Sequence, residues 1–230
     1  LAMLFAPAPL AAVVDMAFLP LAAWPVWQLL RRTGNRRNLF LPALLGVMAG
    51  LNLLFHASMT GLLDINPLTP PRIALLLVVV IELVMGARVI PSFTSNAAPK
   101  AKPLVRPRHD RVSIGLVAAA VLARSAGLPG PAVAGLSLAA ALTVAGRGIG
   151  YRPWKVLAHP LLWILHLSCL GIAIGLALLA GSALGWPSDS VAFHALGVGA
   201  TGGLIIGMIT RTALGHTGRP LQAGKAEMAM

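Results

Sequence analysis

Seven stretches of mostly apolar residues, roughly 9–30, 39–56, 73–90, 112–127, 130–146, 160–180 and 190–210, alternate with segments rich in Arg, Lys, Pro and Gly. A helix rises about 1.5 Å per residue, so about 20 apolar residues cross the roughly 30 Å hydrocarbon core of a bilayer. The pattern predicts an all-α chain, a polytopic transmembrane helix bundle of about seven spans. The fourth and fifth stretches are short and joined only by Leu128, Pro129 and Gly130. A helical hairpin that does not fully cross, leaving five full spans, is the alternative.

Within the spans, small residues recur at a spacing of four: Gly46 with Gly50, Gly171 with Gly175, and Gly199, Gly203 and Gly207 in the last stretch. Such pairs let helix backbones approach closely in lipid, so the last span is predicted to be central. Residues 1–230 read as a single membrane domain. The one candidate subdivision is the basic loop 91–111, where Pro91, Pro99, Pro103 and Pro107 interleave with Lys and Arg and an irregular linker is expected.

Charge sets the orientation. Loop one holds Arg31, Arg32, Arg36 and Arg37; loop three and its flanks hold Arg88, Lys100, Lys102, Arg106, Arg108 and Arg111; loop five holds Arg147, Arg152 and Lys155; the tail holds Arg211, Arg219 and Lys225. These alternate connections carry 16 of the 18 basic residues, against Arg72 and Arg124 on the other side. The positive-inside rule then puts the odd loops and the C-terminus in the cytoplasm. A bacterial cytoplasmic membrane, with membrane lipids as partners, is the expected location.

Composition adds exclusions. The chain is 57% apolar and 10% charged, too few charges to cover a water-soluble globule. Disorder fails on hydrophobicity, and the single Cys169 rules out an intramolecular disulfide. The net charge of +12 is spread over the connections between spans, so no nucleic-acid face is expected. The chain opens on Leu1, and LAMLFAPAP has no basic segment; the expectation is no signal peptide and a truncated N-terminus.

Ionisable residues inside spans are costly and therefore candidates for function. Glu82 lies near the middle of the third span and Asp15 in the outer part of the first; either carboxyl suits a proton relay or the orientation of a ligand imidazole. His56 ends the second span and His194 opens the last one on the same side, while His166 lies about six residues, roughly 9 Å, into the sixth from the cytoplasm. Neutral imidazole is a common ligand for transition metals and haem iron. Taken singly, each histidine is also explained by water or headgroups at the interface. His159 before Pro160 reads as a helix cap, His109 as a solvated linker residue, and Cys169 and the eight Met as packing. All four Lys lie outside the spans, and no phosphate-binding, HExxH or serine-elbow motif appears.

The stretch HALGVGATGGLIIGMITRTALGHTGRPL, His194 to Leu221, resembles the closing signature of the NnrS family, multi-pass bacterial membrane proteins associated with haem, copper and the response to nitric oxide. GNRRN with NLLFH (Gly34 to His56), GARVIPSFTSNAAP (Gly86 to Pro99) and HPLLWILHLSCLGIAIGLALLAG (His159 to Gly181) agree as well. The resemblance implies haem and copper as cofactors, a small neutral ligand such as nitric oxide, and a role in nitrosative stress and denitrification. It implies no established reaction. Its matching histidines are His56, His166, His194 and His216, and its matching polar residues are Arg88, Asn96, Arg211 and Arg219. The arginines are candidates for haem propionates or for anionic lipid. Family members also carry a His-Ala-His-Glu-like motif in an N-terminal half that this chain lacks, so a C-terminal portion is expected. The other functional readings are a proton-coupled secondary transporter using Glu82 and a structural membrane domain.

Overall fold

The computed structural model describes residues 7–219. Residues 1–6, Lys225 and the last two positions of the closing motif, 220–221, lie outside the described residues. The helices are α1 (Ala8–Arg32), α2 (Phe40–Met59), α3 (Thr69–Ala97), α4 (Pro107–Ser125), α5 (Gly130–Gly150), α6 (Pro160–Ser182) and α7 (Asp189–His216). Short 3-10 turns occupy Arg36–Asn38, Pro99–Ala101 and Pro153–Lys155, and there is no strand among the described residues. Proline opens α4 and α6 and stands at the second position of α5, where its missing N–H costs nothing. His159 occupies the cap position of α6, but its side chain makes no capping bond.

Seven helices stand where seven were expected, and six of them, all but α4, are long and apolar enough to cross a membrane. The exception has a physical cause. Arg108, Asp110 and Arg111 occupy the first turns of α4 and Arg124 its last. The apolar stretch between them falls short of the about 20 residues that a full span needs.

Two compact units make up the chain, Leu1–Leu77 and Val78–Met230, and the division falls inside α3, upstream of residues 91–111. In the first unit α1 packs beside α2 after a tight turn in which Gly34 takes φ +65°, a conformation open to glycine. Phe18, Leu21, Trp24, Val47 and Leu53 are exposed, as suits helices whose solvent is acyl chain. A Cβ built on Gly46 or Gly50 would meet nothing, so this pair does not serve a close helix contact among the described residues.

In the second unit the central helix is α6 rather than the expected α7: 56% of its apolar window is buried, against 33% for α7. The glycine pattern nevertheless marks the right interface. A Cβ on Gly171 would lie 2.9 Å from the Gly199 carbonyl oxygen, one on Gly175 would lie 2.5 Å from Leu196 Cδ2, and one on Gly207 would lie 2.8 Å from Leu165 Cδ2. α6 and α7 therefore meet through glycine, backbone against backbone. Within α7, residues Ala195–Gly202 adopt π-helical bonding between two α-helical segments.

The basic segment 91–111 is more ordered than its prolines suggested. α3 continues through the buried Pro91 to Ala97, since helix-internal proline is tolerated where neighbouring helices enclose it. Beyond it the connection is pinned to the end of α5: Leu104 N–H donates to the Gly150 carbonyl at 2.8 Å, and Arg152 Nη1 donates to the Ala101 carbonyl at 3.1 Å.

Gly175→Val is expected to destabilise the protein by about 1–3 kcal/mol through overpacking. Gly199→Ala, whose added Cβ enters open space, should stay within about 0.5 kcal/mol of the parent. Unfolding of the detergent-solubilised protein in sodium dodecyl sulfate, followed by far-UV circular dichroism, checks both.

Candidate metal centre and buried polar sites

In the first unit the structure joins two residues that the sequence marked separately. Asn52 and His56 are four apart on α2 and so share a face, and that face meets α1 at Asp15. His56 Nε2 lies 2.9 Å from Asp15 Oδ2, and Asn52 Nδ2 donates to the Asp15 carbonyl at 3.2 Å. An ionised carboxylate only accepts, so Nε2 carries the proton and the lone pair is left on Nδ1. Phe55 meets the His56 ring edge to face at 5.3 Å. Beside the pair lies a cavity of about 380 Å³, lined by Asp15, Phe18, Met48, Asn52, Phe55 and Pro71 among others.

A second imidazole is held in the second unit. His166 on α6 is 6% exposed, and its Nε2 lies 3.0 Å from Thr94 Oγ1 on α3, which is fully buried. His166 Nδ1 is buried without a partner. Either tautomer leaves that atom unspent, as a donor when Thr94 gives its proton to Nε2, or as a lone pair when Nε2 gives its proton to Thr94. Three residues along α6, Cys169 lines the same cavity of about 270 Å³, with Trp163, Leu170, Val144 and Gly148. Cys169 is buried, as a packing residue would be, and stands three residues from His166 on the same helix.

The remaining predicted residues are dispersed. His194 is exposed and turns back on its own helix, with Nδ1 2.8 Å from the Ser190 carbonyl oxygen. His216 and Arg219 are exposed at the end of α7, Asn96 is exposed near the end of α3, and Arg88 is half-buried on α3. Arg211 is buried, its guanidinium 4.1 Å from the centre of the Phe93 ring, and is committed to that cation–π contact. Glu82 stands at the centre of α3 with Oε2 buried and without a partner. Among the described residues no three His, Cys, Asp or Glu side chains gather closely enough to hold a metal ion.

Sequence reasoning placed Arg147 in loop five and did not single out Asp110, and so missed a buried ionic cluster. Arg147 lies on α5 and is 3% exposed. Its Nη1 donates to the Leu83 carbonyl at 3.1 Å and stands 4.0 Å from Asp110 Oδ1 on α4, to which the Tyr151 hydroxyl donates at 3.4 Å. Arg147 and Tyr151 are four apart on α5, the one spacing that hinted at the cluster. The cation registers α3, α4 and α5 against one another, because moving any of them strands a charge.

Arg147→Met is expected to cost on the order of 3 kcal/mol, since it leaves Asp110 without its cation, and adding Asp110→Asn should recover part of that loss. Denaturation midpoints of the two single variants and the double variant test the coupling.

The whole chain, residues 1–230, matches the family model described as NnrS protein. Comparison with curated proteins and with solved structures finds no match. Family model, helix content and the order of the motifs agree, and the chain belongs to the NnrS family.

Proposed function

We infer that this chain is a haem- and copper-containing membrane protein of the NnrS type that acts in the bacterial response to nitric oxide and in resistance to nitrosative stress. The observation that carries the reading is the Asp15–His56 pair at 2.9 Å. A carboxylate on one imidazole nitrogen fixes the tautomer and ring orientation, and strengthens the other nitrogen as a metal ligand. His56 is thus prepared to hold haem iron, and the neighbouring cavity of about 380 Å³ falls in the range of about 300–1,000 Å³ that takes organic cofactors. Haem iron would supply reversible binding of a diatomic ligand and one-electron chemistry.

Copper fits the second unit better. The unspent His166 Nδ1 and the Cys169 thiol offer one borderline and one soft donor, a combination that favours copper over hard cations. The cavity there, about 270 Å³, is below the usual range for an organic cofactor and has room for an ion and a small neutral molecule. Nitric oxide, apolar and uncharged, partitions into hydrocarbon and reaches both cavities without a hydrophilic channel. The alternating basic loops support insertion in the bacterial cytoplasmic membrane with the C-terminus inside.

Spectra of the detergent-purified chain expressed with haem and copper, oxidised and reduced, together with metal analysis, test this reading. A Soret band is expected in the parent and lost in His56→Ala, while Asp15→Asn weakens haem affinity by about 10–100-fold. His166→Ala and Cys169→Ser should each remove copper and spare the Soret band. A band unchanged in His56→Ala would overturn the assignment.

A further inference from the structure

We propose that the basic end of the second unit binds an anionic glycerophospholipid, with its phosphodiester held by Arg152 and Lys155 and one acyl chain laid along the groove between α5 and α6. The groove is the outer side of the cavity of about 270 Å³ that holds His166. Ile149, Leu157, Trp163, Leu167 and Leu170 in its lining are exposed, whereas Val144, His166 and Cys169 are buried and form its back. Pro153 and Leu157, which line the groove, flank Lys155 in the connection from α5 to α6. From Pro160, where α6 begins, to Leu170 the helix rises about 15 Å. That is half of the roughly 30 Å hydrocarbon core, the depth that one leaflet's acyl chain occupies.

The charge at this end has one sign. Lys100, Lys102, Arg106 and Lys155 are exposed on the two connections that are pinned together there. Of the three acidic residues described in the second unit, Glu82 lies at the centre of α3, Asp189 opens α7 at the far end, and Asp110 is engaged by Arg147 and Tyr151. No exposed carboxylate is therefore described at this end, and the complementary anion comes from outside the chain. At the level where a membrane helix leaves the hydrocarbon, that anion is a lipid phosphate. Trp154 and Trp163, on either side of Lys155 in the sequence, are both exposed, and indole rings settle at the headgroup level.

Arg152 is oriented in advance. Its Nη1 donates to the Ala101 carbonyl at 3.1 Å, which fixes the guanidinium plane, and among the described residues nothing takes its Nε or Nη2. A guanidinium held in this way can meet two phosphate oxygens in parallel. Lys102 and Arg152 are also the two non-glycine residues of positive φ among the described residues, at +48° and +59°. Such backbone persists only where its surroundings over-determine it, and it gathers at ligand clamps. The Leu104–Gly150 and Arg152–Ala101 bonds supply that constraint here. The inference does not depend on copper at His166 and Cys169; a chain along the exposed side of the cavity roofs that pair.

The test uses the full chain in an uncharged detergent, titrated with phosphatidylglycerol and with phosphatidylcholine of the same acyl chains, with bound lipid counted by native mass spectrometry. The first phosphatidylglycerol should bind about tenfold or more tightly than phosphatidylcholine, and Arg152→Gln and Lys155→Gln should each reduce that preference by about three- to tenfold. Arg36→Gln, which removes an exposed cation of the first unit, should leave it unchanged. Lys155 is exposed and carries no side-chain bond among the described residues, so its variant stands if Arg152→Gln disturbs the connection. Glycerophosphoglycerol, the headgroup without chains, should not displace the lipid, and phosphatidylglycerol brominated on its chains should quench less tryptophan emission in Trp163→Phe than in the parent. Equal affinity for the two lipids, or an unchanged preference in both groove variants, would overturn the proposal. So would an equal loss in Arg36→Gln, which points to general surface charge, or displacement by the headgroup alone, which points to a free phosphodiester. No haem or copper enters the readout, so failure here is separate from failure of the metal assignments.

Discussion

Hydrocarbon supplies no hydrogen bonds, so every polar group in a membrane helix has to find its partner inside the protein. That constraint explains most side-chain bonds in this chain. Ser125, Thr143 and Ser168 return their hydroxyls to the carbonyl one turn back on their own helices, a local solution that asks nothing of a neighbour. Asp15 with His56, Thr94 with His166, and Arg147 with Leu83 and Asp110 are solved between helices. The groups left over, His166 Nδ1 among them, are then the informative ones. A bundle that satisfies so many others has kept these open.

The second constraint is the absence of a hydrophobic drive between helices in lipid, which leaves packing and hydrogen bonds to hold them together. α6 shows how one helix meets both demands. Its Ser168, Gly171 and Gly175 face α7, where the backbones come within reach of each other. His166 and Cys169 line a different side, toward α5, and Thr94 of α3 secures the imidazole. Because the glycine face admits no slippage without a clash, the orientation of the ligand face is set by the packing face. Rigidity at one side of α6 becomes preorganisation at the other.

The helices themselves were legible from apolar length and from proline and glycine punctuation, and the α6–α7 interface from its glycine spacing. What the sequence did not reveal depends on depth and rotation. Arg147 counts as a cytoplasmic charge when read as a string, but its helix carries it inward to Asp110. Pro91 reads as a terminator, yet the turns around it are enclosed and α3 runs on. Of the candidate residues, Asp15 and His56 were each visible as polar atoms inside apolar runs. Their partnership was not, because nothing in one dimension gives the register between α1 and α2. His194 was visible in the same way, but not that its Nδ1 lies 2.8 Å from the Ser190 carbonyl one turn back on its own helix.

The two secured imidazoles differ in a way that bears on which metal each suits. Asp15 is an anion, and an anionic partner increases the donor strength of the far nitrogen, as it does for histidines that bind iron or zinc. Thr94 is neutral and leaves His166 a weaker donor, but Cys169 beside it adds a polarisable sulfur that hard ions do not reward. On the proposed reading the first unit offers the strong, oriented nitrogen that a haem iron needs, beside a cavity of about 380 Å³. The second offers a soft, enclosed pair sized for an ion. Chemistry of two kinds is thus separated by the partner each histidine was given, one carboxylate and one hydroxyl, rather than by the histidines themselves.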